Sequence, residues 1–380
     1  SREERKVEVR GMKKNSTLLK LNKFTKNSFL SYATVIIFYA VISILMSNGG
    51  ISSSFKGQLI PICAYAVMAV SLNLTVGILG DLSLGHAGFM SVGAFAGVIA
   101  SQSMHFNGVE SDALRMLVAI VVGIVVAAVF GIIIGVPVLR LKGDYLAIVT
   151  LAFGEIIRDI LNCFYIGIDE DGLHFSVQNA DSLGLAADGK VLVNGPIGAT
   201  GIDKISTFTA GTILVIFTLF IVYNLTNSRA GRAIMSIRDN RIAAESVGIN
   251  ITKYKMMAFV TSAALAGGAG ALYALNYSTV VSSKFDFNTS ILVLVFVVLG
   301  GMGNIFGSLI SATMLTVLPQ VLREFRDYRM LVYALVLILV MLVTNSDKIQ
   351  SYKEMLFVKL FKKKKKSKHN SDTTAKEAAK

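Results

Sequence analysis

The chain has 380 residues, of which 53% are hydrophobic and only 16% are charged, whereas an average soluble protein has about 25% charged residues. Its formal net charge is +13, and the excess of Lys and Arg lies in residues 1–28 and 347–380, which leaves the long apolar middle neutral overall. Basic ends beside apolar spans are typical of membrane proteins, so the composition excludes an ordinary soluble domain and the charge does not indicate a nucleic-acid partner.

The first element is the basic segment 1–28, within which residues 1–11 precede Met12 and are set apart as an upstream or appended extension. Beyond it, apolar runs of the length needed to cross a bilayer recur through the chain. We predict an all-α fold, a polytopic transmembrane bundle of about ten spans, with eight or nine as alternatives. The candidate spans are 29–46, 58–78, 85–103, 114–138, 145–163, 208–226, 256–276, 288–302, 304–320 and 329–345.

Loop charges predict the orientation of this transmembrane domain, residues 29–346. An even number of spans places the N- and C-termini together, and the positive-inside rule places them in the cytoplasm. The segment 227–255, with six basic and two acidic residues, is then cytoplasmic, and the acidic segment 164–207 is extracytoplasmic. The basic loop 321–329 conflicts with this assignment. The Lys-rich tail 347–380 is interpreted as either solvated or held against anionic lipid.

Two clusters of glycine and polar residues interrupt the apolar runs and predict broken helices, which are tolerated where they are buried in protein or line an aqueous path. We predict that these breaks border a translocation path. Their residues are Asp81, Ser83, Gly85, His86 and Gly88 in GDLSLGHAGF, and Gly300, Gly301 and Gly303 further along. The alternative for the first break is a short cytoplasmic turn in which Asp81 caps the next helix.

A third polar cluster, Glu155, Arg158 and Asp159, lies inside the span 145–163. Spacings of three and four residues place the three side chains on one helix face, where Arg158 can pair with both carboxylates. Ionisable groups at membrane depth are functional candidates. The cluster is interpreted either as an ion pair that locks two helices or as a contact with substrate.

The segment 228–249 is predicted to form two short helices. Ile234 and Ile237 form the apolar stripe of the first helix, Asn240 can cap the second helix, and Gly248 can end it. The pair is interpreted either as surface helices that lie on the membrane or as a docking element for a cytosolic partner.

No motif for nucleotide, metal or nucleophile chemistry occurs in the sequence. GxxxxGK[ST], HExxH, CxxC and GxSxG are all missing, and the four His residues have no ligand spacing. We therefore expect no metal, no cofactor bound by this chain and no enzyme activity. Uphill transport would draw on an ion gradient or on a separate ATPase.

Four segments in order resemble the branched-chain amino-acid ABC permease family, LivM-type branch. They are GDLSLGHAGFMSVGAFAG, GDYLAIVTLAFGEIIRDI, SRAGRAIMSIRDNRIAAESVGI followed by AFVTSAALAGGAGALYA, and VVLGGMGNIFGSLISA. The resemblance spans residues 58–345. It implies a subunit of an importer for leucine, isoleucine, valine or related amino acids in the bacterial plasma membrane.

The resemblance also implies partners and an interface. The partners are a LivH-type sister permease, two cytosolic ATPase subunits that carry ATP-Mg, an extracytoplasmic solute-binding protein, and membrane lipid. The residues assigned to the ATPase-coupling interface are Arg232, Arg238, Asp239, Ala244, Glu245 and Gly248.

Three other functions fit the same pattern. A urea or short-chain amide importer shares these motifs within the family. An ion-coupled secondary transporter would use Glu155 and Asp159 as its titrating or cation-binding groups. A membrane scaffold without transport activity is the third alternative.

Overall fold

The computed structural model describes residues 28–48, 52–141, 143–186 and 189–322, together with residues 331, 334, 335 and 338. The chain divides into one compact unit that ends at Val317 and a second that begins at Leu318. Little of the second unit is described, so the fold below is that of the first unit.

The described residues form twelve α-helices and one π-helix. The helices are α1 (Ser28–Ser47), α2 (Ser53–Lys56), α3 (Leu59–Asn73), continued by the π-helix (Leu74–Leu79), α4 (His86–Phe106), α5 (Asp112–Val138), α6 (Asp144–Cys163), α7 (Phe208–Asn227), α8 (Arg229–Asp239), α9 (Arg241–Ser246), α10 (Ile251–Ala274), α11 (Phe287–Gly300) and α12 (Ile305–Val321). Short 3₁₀ turns occupy Asp181–Leu183, Gly195–Ile197 and Ser282–Lys284.

In the part of the chain that the structure describes, seven helical stretches are long and apolar enough to cross a membrane: Ser28–Ser47, Leu59–Leu79, His86–Phe106, Asp112–Val138, Phe208–Asn227, Ile251–Ala274 and Ser282–Gly300. Each overlaps a predicted span. The predicted span 145–163 is helical as α6 but carries too many charges to qualify, and 304–320 is a shorter apolar helix. The predicted span 329–345 lies almost wholly outside the described residues, so ten spans stays a prediction.

Helix α10 lies at the centre of the bundle, packed against α4, α5 and α3. Its contacts depend on small residues: a Cβ added at Gly93 of α4 would overlap the backbone of Gly267, and one added at Gly270 would overlap the carbonyl of Met90. Where lipid gives no hydrophobic drive for helix association, such close backbone approach supplies the packing contacts.

The described residues are mostly helical, as predicted, but the segment 164–207 contains most of a five-stranded antiparallel sheet that an all-α fold does not include. The strands are β1 (Tyr165–Asp169), β2 (Gly172–Ser176), β3 (Lys190–Asn194), β4 (Ala199–Thr200) and β5 (Thr279–Val280), in the spatial order β2-β1-β3-β4-β5. In the register, Ile166 pairs with Phe175 on one side and Val193 on the other, and Ala199 pairs with Val280. The strands have two to five residues each, too few for alternation to be recognised, and β5 comes from a distant part of the chain.

The sheet and the α8–α9 hairpin (residues 229–246) lie at opposite ends of the bundle. Helices α6 and α7 each have 20 residues, a length of about 30 Å. Gly143, just before α6, borders the same pocket as Ile237 and Arg238 of α8, whereas the C-terminal end of α6 leads into β1. The placement of 164–207 outside the cell and of 227–255 in the cytoplasm stays a prediction.

Candidate functional site

Local signals in the sequence build the α8–α9 hairpin. The Ser228 hydroxyl accepts a hydrogen bond from Gly231 N at 3.1 Å and begins α8, and Asn240 Oδ1 accepts one from Ala243 N at 3.0 Å and begins α9. Gly248 follows α9 with φ of +83°, a conformation that favours glycine. The predicted two helices, the Asn240 cap and the Gly248 stop are confirmed.

The hairpin has one buried and one exposed face. Ile237 and Ala244 are buried and pack with Ile251 of α10, as the predicted apolar stripe requires. Ile242 is 81% exposed and Val247 75% exposed. Ile242 lies two positions before the buried Ala244 and therefore nearly opposite it on the helix. This spacing is visible in the sequence, although we did not predict an exposed Ile242 from it.

The six residues that the resemblance assigned to a coupling interface do not share one environment. Arg232 donates to the carbonyl of Asn227, the last residue of α7, at 3.2 Å. Glu245 is exposed, and Ala244 is buried. Arg238 turns toward the bundle and donates from Nη1 to the Gly77 carbonyl at 3.0 Å.

Residues 80–85 of the first predicted break (residues 80–89) form an irregular segment between the π-helix and α4, and its other residues, among them His86 and Gly88, begin α4. Asp81 does not cap α4: the N-cap is Gly85, without a side-chain hydrogen bond, because Asp81 lies too many residues before the helix. Its carboxylate instead pairs with Lys255 Nζ at 2.5 Å, and the Lys255 side chain is only 7% exposed. Lys255 was missed by sequence reasoning, since it lies at the start of α10, 174 residues away.

The two other polar residues of this break lie inside the bundle. His86 is 2% exposed, and its Nε2 lies 2.8 Å from the Ser71 hydroxyl of α3. Ser83 is also 2% exposed, and its hydroxyl has no hydrogen-bond partner among the described residues.

The glycines of the same break allow backbone contact with α6. A Cβ at Gly85 would overlap the Thr150 carbonyl, and one at Gly88 would lie 2.9 Å from the Cα of Gly154. The neighbouring Leu84 N–H donates to the Thr150 hydroxyl at 3.0 Å. The first break is therefore packed tightly against α6.

The second break is the glycine turn (residues 301–304) between α11 and α12. Gly301 and Gly303 have φ of +90° and +81°. The Gly303 N–H donates to Asn73 Oδ1 at 2.8 Å, and Asn73 Nδ2 donates to the Ser308 hydroxyl of α12 at 2.9 Å. The structure thus joins the glycine turn to the C-terminal end of α3. Asn73 was missed, although a polar residue inside an apolar run is itself a signal.

The charged cluster of α6 forms the predicted pairs. Arg158 Nη2 lies 2.7 Å from Glu155 Oε2 and 3.5 Å from Asp159 Oδ1. Both pairs lie within α6. The side chains of Arg158 and Glu155 are about one-third exposed and that of Asp159 is 68% exposed, so the cluster opens onto an outer face of this chain.

At the sheet end, Asp169 lies next to the β1–β2 turn and is 4% exposed. Burial alone would raise its pKa, but hydrogen bonds from Ala186 N, His174 Nε2 and Asp171 N hold the pKa of this carboxyl below its ordinary value. Asp169 therefore ties the β1–β2 turn together as a carboxylate. Among the described residues, no group of three or more Asp, Glu, His or Cys side chains could hold a metal ion.

A second carboxylate at this end fixes the segment after the sheet to α5. Asp203 Oδ2 lies 2.6 Å from Arg115 Nη2, whose side chain is only 3% exposed. The hydrogen bond from Arg115, together with the positive charges of Arg115 and Lys190, lowers the pKa of Asp203 despite its partial burial. Sequence reasoning missed Arg115, because it took the residue as part of the span 114–138.

Comparison with known proteins gives a consistent result. Residues 55–341 match the family model described as "Branched-chain amino acid transport system / permease component". The chain is 34% identical over 288 residues to the high-affinity branched-chain amino acid transport system permease protein LivM of Salmonella typhimurium, covering 73% of this chain and 66% of that protein. LivM of Escherichia coli gives 34% over 298 residues with the same coverage. BraD of Pseudomonas aeruginosa, described in the same terms, gives 25% over 262 residues, 67% of this chain and 80% of BraD.

Proposed function

Since the chain belongs to the family of branched-chain amino acid transport system permease components, we propose that it is the membrane-spanning permease subunit of an ABC importer for leucine, isoleucine and valine. ATP-Mg is bound and hydrolysed by two separate cytosolic ATPase subunits. The relatives that are 34% identical are described as branched-chain amino acid permeases, so the urea and ion-coupled alternatives are not favoured.

The exposed face of the α8–α9 hairpin carries this proposal. Ile242 and Val247 present bulky apolar side chains to the outside at one end of a bundle. Exposed apolar groups on a well-anchored surface are typical of protein interfaces. Because the buried face packs on α10 through Ile237 and Ala244, the hairpin can pass a partner's movement to the bundle. The ATPase pair is the proposed partner, with the exposed Glu245 and Gly248 beside the apolar anchors.

The charged face of α6 supports a second permease subunit beside this one. A charged side chain that faces lipid at mid-membrane costs about 2.5–3.5 kcal/mol on insertion scales. Glu155, near the middle of α6, is about one-third exposed, and Asp159, closer to the end of the helix, is 68% exposed. We propose that a LivH-type sister permease faces α6 across an aqueous path. The two breaks, at residues 80–85 and 301–304, support the wall of this path that belongs to this chain, because their residues pack against α3 and α6.

The sheet end is the proposed docking site for the solute-binding protein. This placement follows from the predicted orientation, in which residues 164–207 lie outside the cell. Glu170, Asp171 and Asp181 are exposed there and offer an acidic surface to a partner with basic residues. The inner membrane of a bacterium is the proposed location.

The experiment is a double substitution on the exposed hairpin face, Ile242→Ser with Val247→Ser. Since both side chains are exposed, the permease should fold normally, while copurification of the ATPase subunits and ATP-driven leucine uptake should fall by about tenfold or more, as for paired interface anchors. Leu173→Ser, which alters an exposed apolar residue of β2, is the control and should leave copurification unchanged. Normal copurification and uptake in the double variant would contradict the proposed interface.

A further inference from the structure

Helix α8 meets the π-helix at the carbonyl of Gly77. This carbonyl belongs to the π-helix that continues α3, and it accepts a hydrogen bond from Nη1 of Arg238 in the last turn of α8 at 3.0 Å. The other edge of the guanidinium donates from Nε and Nη2 to Asp239 Oδ1 at 3.2 and 3.0 Å. Arg238 is thereby held between its own helix end and the π-helix.

The π-helix is a locally unusual piece of a long buried helix. Hydrogen bonds in π-helices run from residue i to i+5, and such turns occur mostly as single turns at functional sites. Here the π-helix ends at Gly80, with φ of +82°, and the Gly80 and Asp81 N–H groups both donate to the Thr75 carbonyl. Arg238 of α8 therefore adds a side-chain hydrogen bond to a segment whose backbone hydrogen bonds differ from those of an α-helix.

The contacts around this junction are made at the backbone level. A Cβ at Gly80 would lie 2.6 Å from Cγ of Arg238, and a Cβ at Gly77 would overlap the backbone of Gly303 in the glycine turn. Asn73 then bonds the same Gly303 N–H at 2.8 Å. Since packed interiors shift between discrete arrangements and do not deform smoothly, movement of α8 would displace the π-helix and the glycine turn together.

We propose that Arg238 is a positioning residue of the transport cycle, which ties the α8–α9 hairpin to both broken helices instead of contacting the ATPase as the family resemblance implied. A guanidinium suits this role, because it holds a carbonyl and a carboxylate at once in a fixed fork, and hydrogen bonds from charged donors are stronger than neutral ones. The hydrogen bonds of Arg238 do not depend on the proposed function. The role of Arg238 in coupling rests on that function.

The test compares Arg238→Gln with Arg229→Gln in the full chain. Both variants remove one exposed arginine from α8, but Arg229 lies at the start of α8, at the opposite end of the helix from the junction. Hydrogen–deuterium exchange of residues 74–81 and 301–304 should become about tenfold faster in Arg238→Gln, as expected for a lost charged hydrogen bond. It should be unchanged in Arg229→Gln.

Two functional measurements on the assembled transporter complete the test. In Arg238→Gln, copurification of the ATPases and basal ATP hydrolysis should persist, while ATP-driven uptake falls about tenfold, within the range known for coupling mutations. Arg238→Lys should restore exchange and uptake only in part. Unchanged exchange in Arg238→Gln, or a loss of ATPase copurification, would overturn the positioning role. If the unaltered transporter carries no amino acid, the proposed function fails while the exchange result still decides whether the tie exists.

Discussion

Single polar side chains in this protein fix elements that are far apart in the chain. Lys255 holds Asp81 across 174 residues, Asn73 holds Gly303, and Arg115 holds Asp203. In each case a polar group leaves water for a partly or fully buried site, which is favourable only when a partner satisfies it. Loss of one partner should therefore cost more than the mean value of a hydrogen bond.

The Arg115–Asp203 pair gives a pH-dependent prediction. Because Arg115 lowers the pKa of Asp203, the pair stabilises the fold above the unfolded carboxyl pKa of about 3.9, and this contribution disappears as pH falls through the lower folded value. Asp203→Asn should lower the melting temperature at pH 7 in detergent, since buried Arg115 loses the nearer of its two carboxylate partners, Asp203 and Asp112. The difference from the unaltered protein should shrink as the pH falls below about 4. Equal melting temperatures at pH 7 would contradict the structural role of the pair.

At the scale of elements, the α8–α9 hairpin could be predicted from the sequence and the sheet could not. Asn240, Gly248 and the spacing of Ile234 and Ile237 are local signals, and each has the predicted role in the structure. The sheet depends on pairing between Ala199 and Val280, which no local pattern reveals.

The two breaks could also be predicted only in part: their positions could be predicted from the sequence, but their contacts could not. Glycine clusters marked the breaks near residues 80 and 301, because glycine interrupts apolar runs visibly. The contact between Gly77 and Gly303 depends on two helices that are adjacent only in space. Asp81 pairs with Lys255 and does not cap α4, and this ion pair also joins two residues that are adjacent only in space.

This contact between elements can be tested with Gly77→Ala. The new Cβ would overlap Gly303 N and Asn73 Oδ1, so the π-helix and the glycine turn must separate, at a cost of about 1–3 kcal/mol for overpacking. Thermal unfolding in detergent measures the loss. Gly154→Ala in α6 is the control, since its Cβ would meet Gly85 Cα at an ordinary 3.4 Å. A Gly77→Ala variant as stable as the control would show that the two breaks are not in close contact.

At the scale of the whole molecule, the bundle separates an end with a sheet from an end with a helical hairpin, joined by helices of membrane-spanning length. Hydropathy predicted most of these helices, because a helix needs about 20 mostly apolar residues to cross the bilayer. It also marked α6 as a span, although Glu155, Arg158 and Asp159 make this helix too charged to face lipid on all sides. That exception supports the proposed neighbouring subunit.

The most direct test of the account is uptake of labelled leucine by proteoliposomes that contain this chain with its LivH-type sister permease, two ATPase subunits and the solute-binding protein. We predict accumulation that requires ATP on the hairpin side and the binding protein on the sheet side, and that excess isoleucine or valine suppresses while urea does not. Accumulation that proceeds without ATP, or an intact assembly that hydrolyses ATP and carries no branched-chain amino acid, would contradict the account.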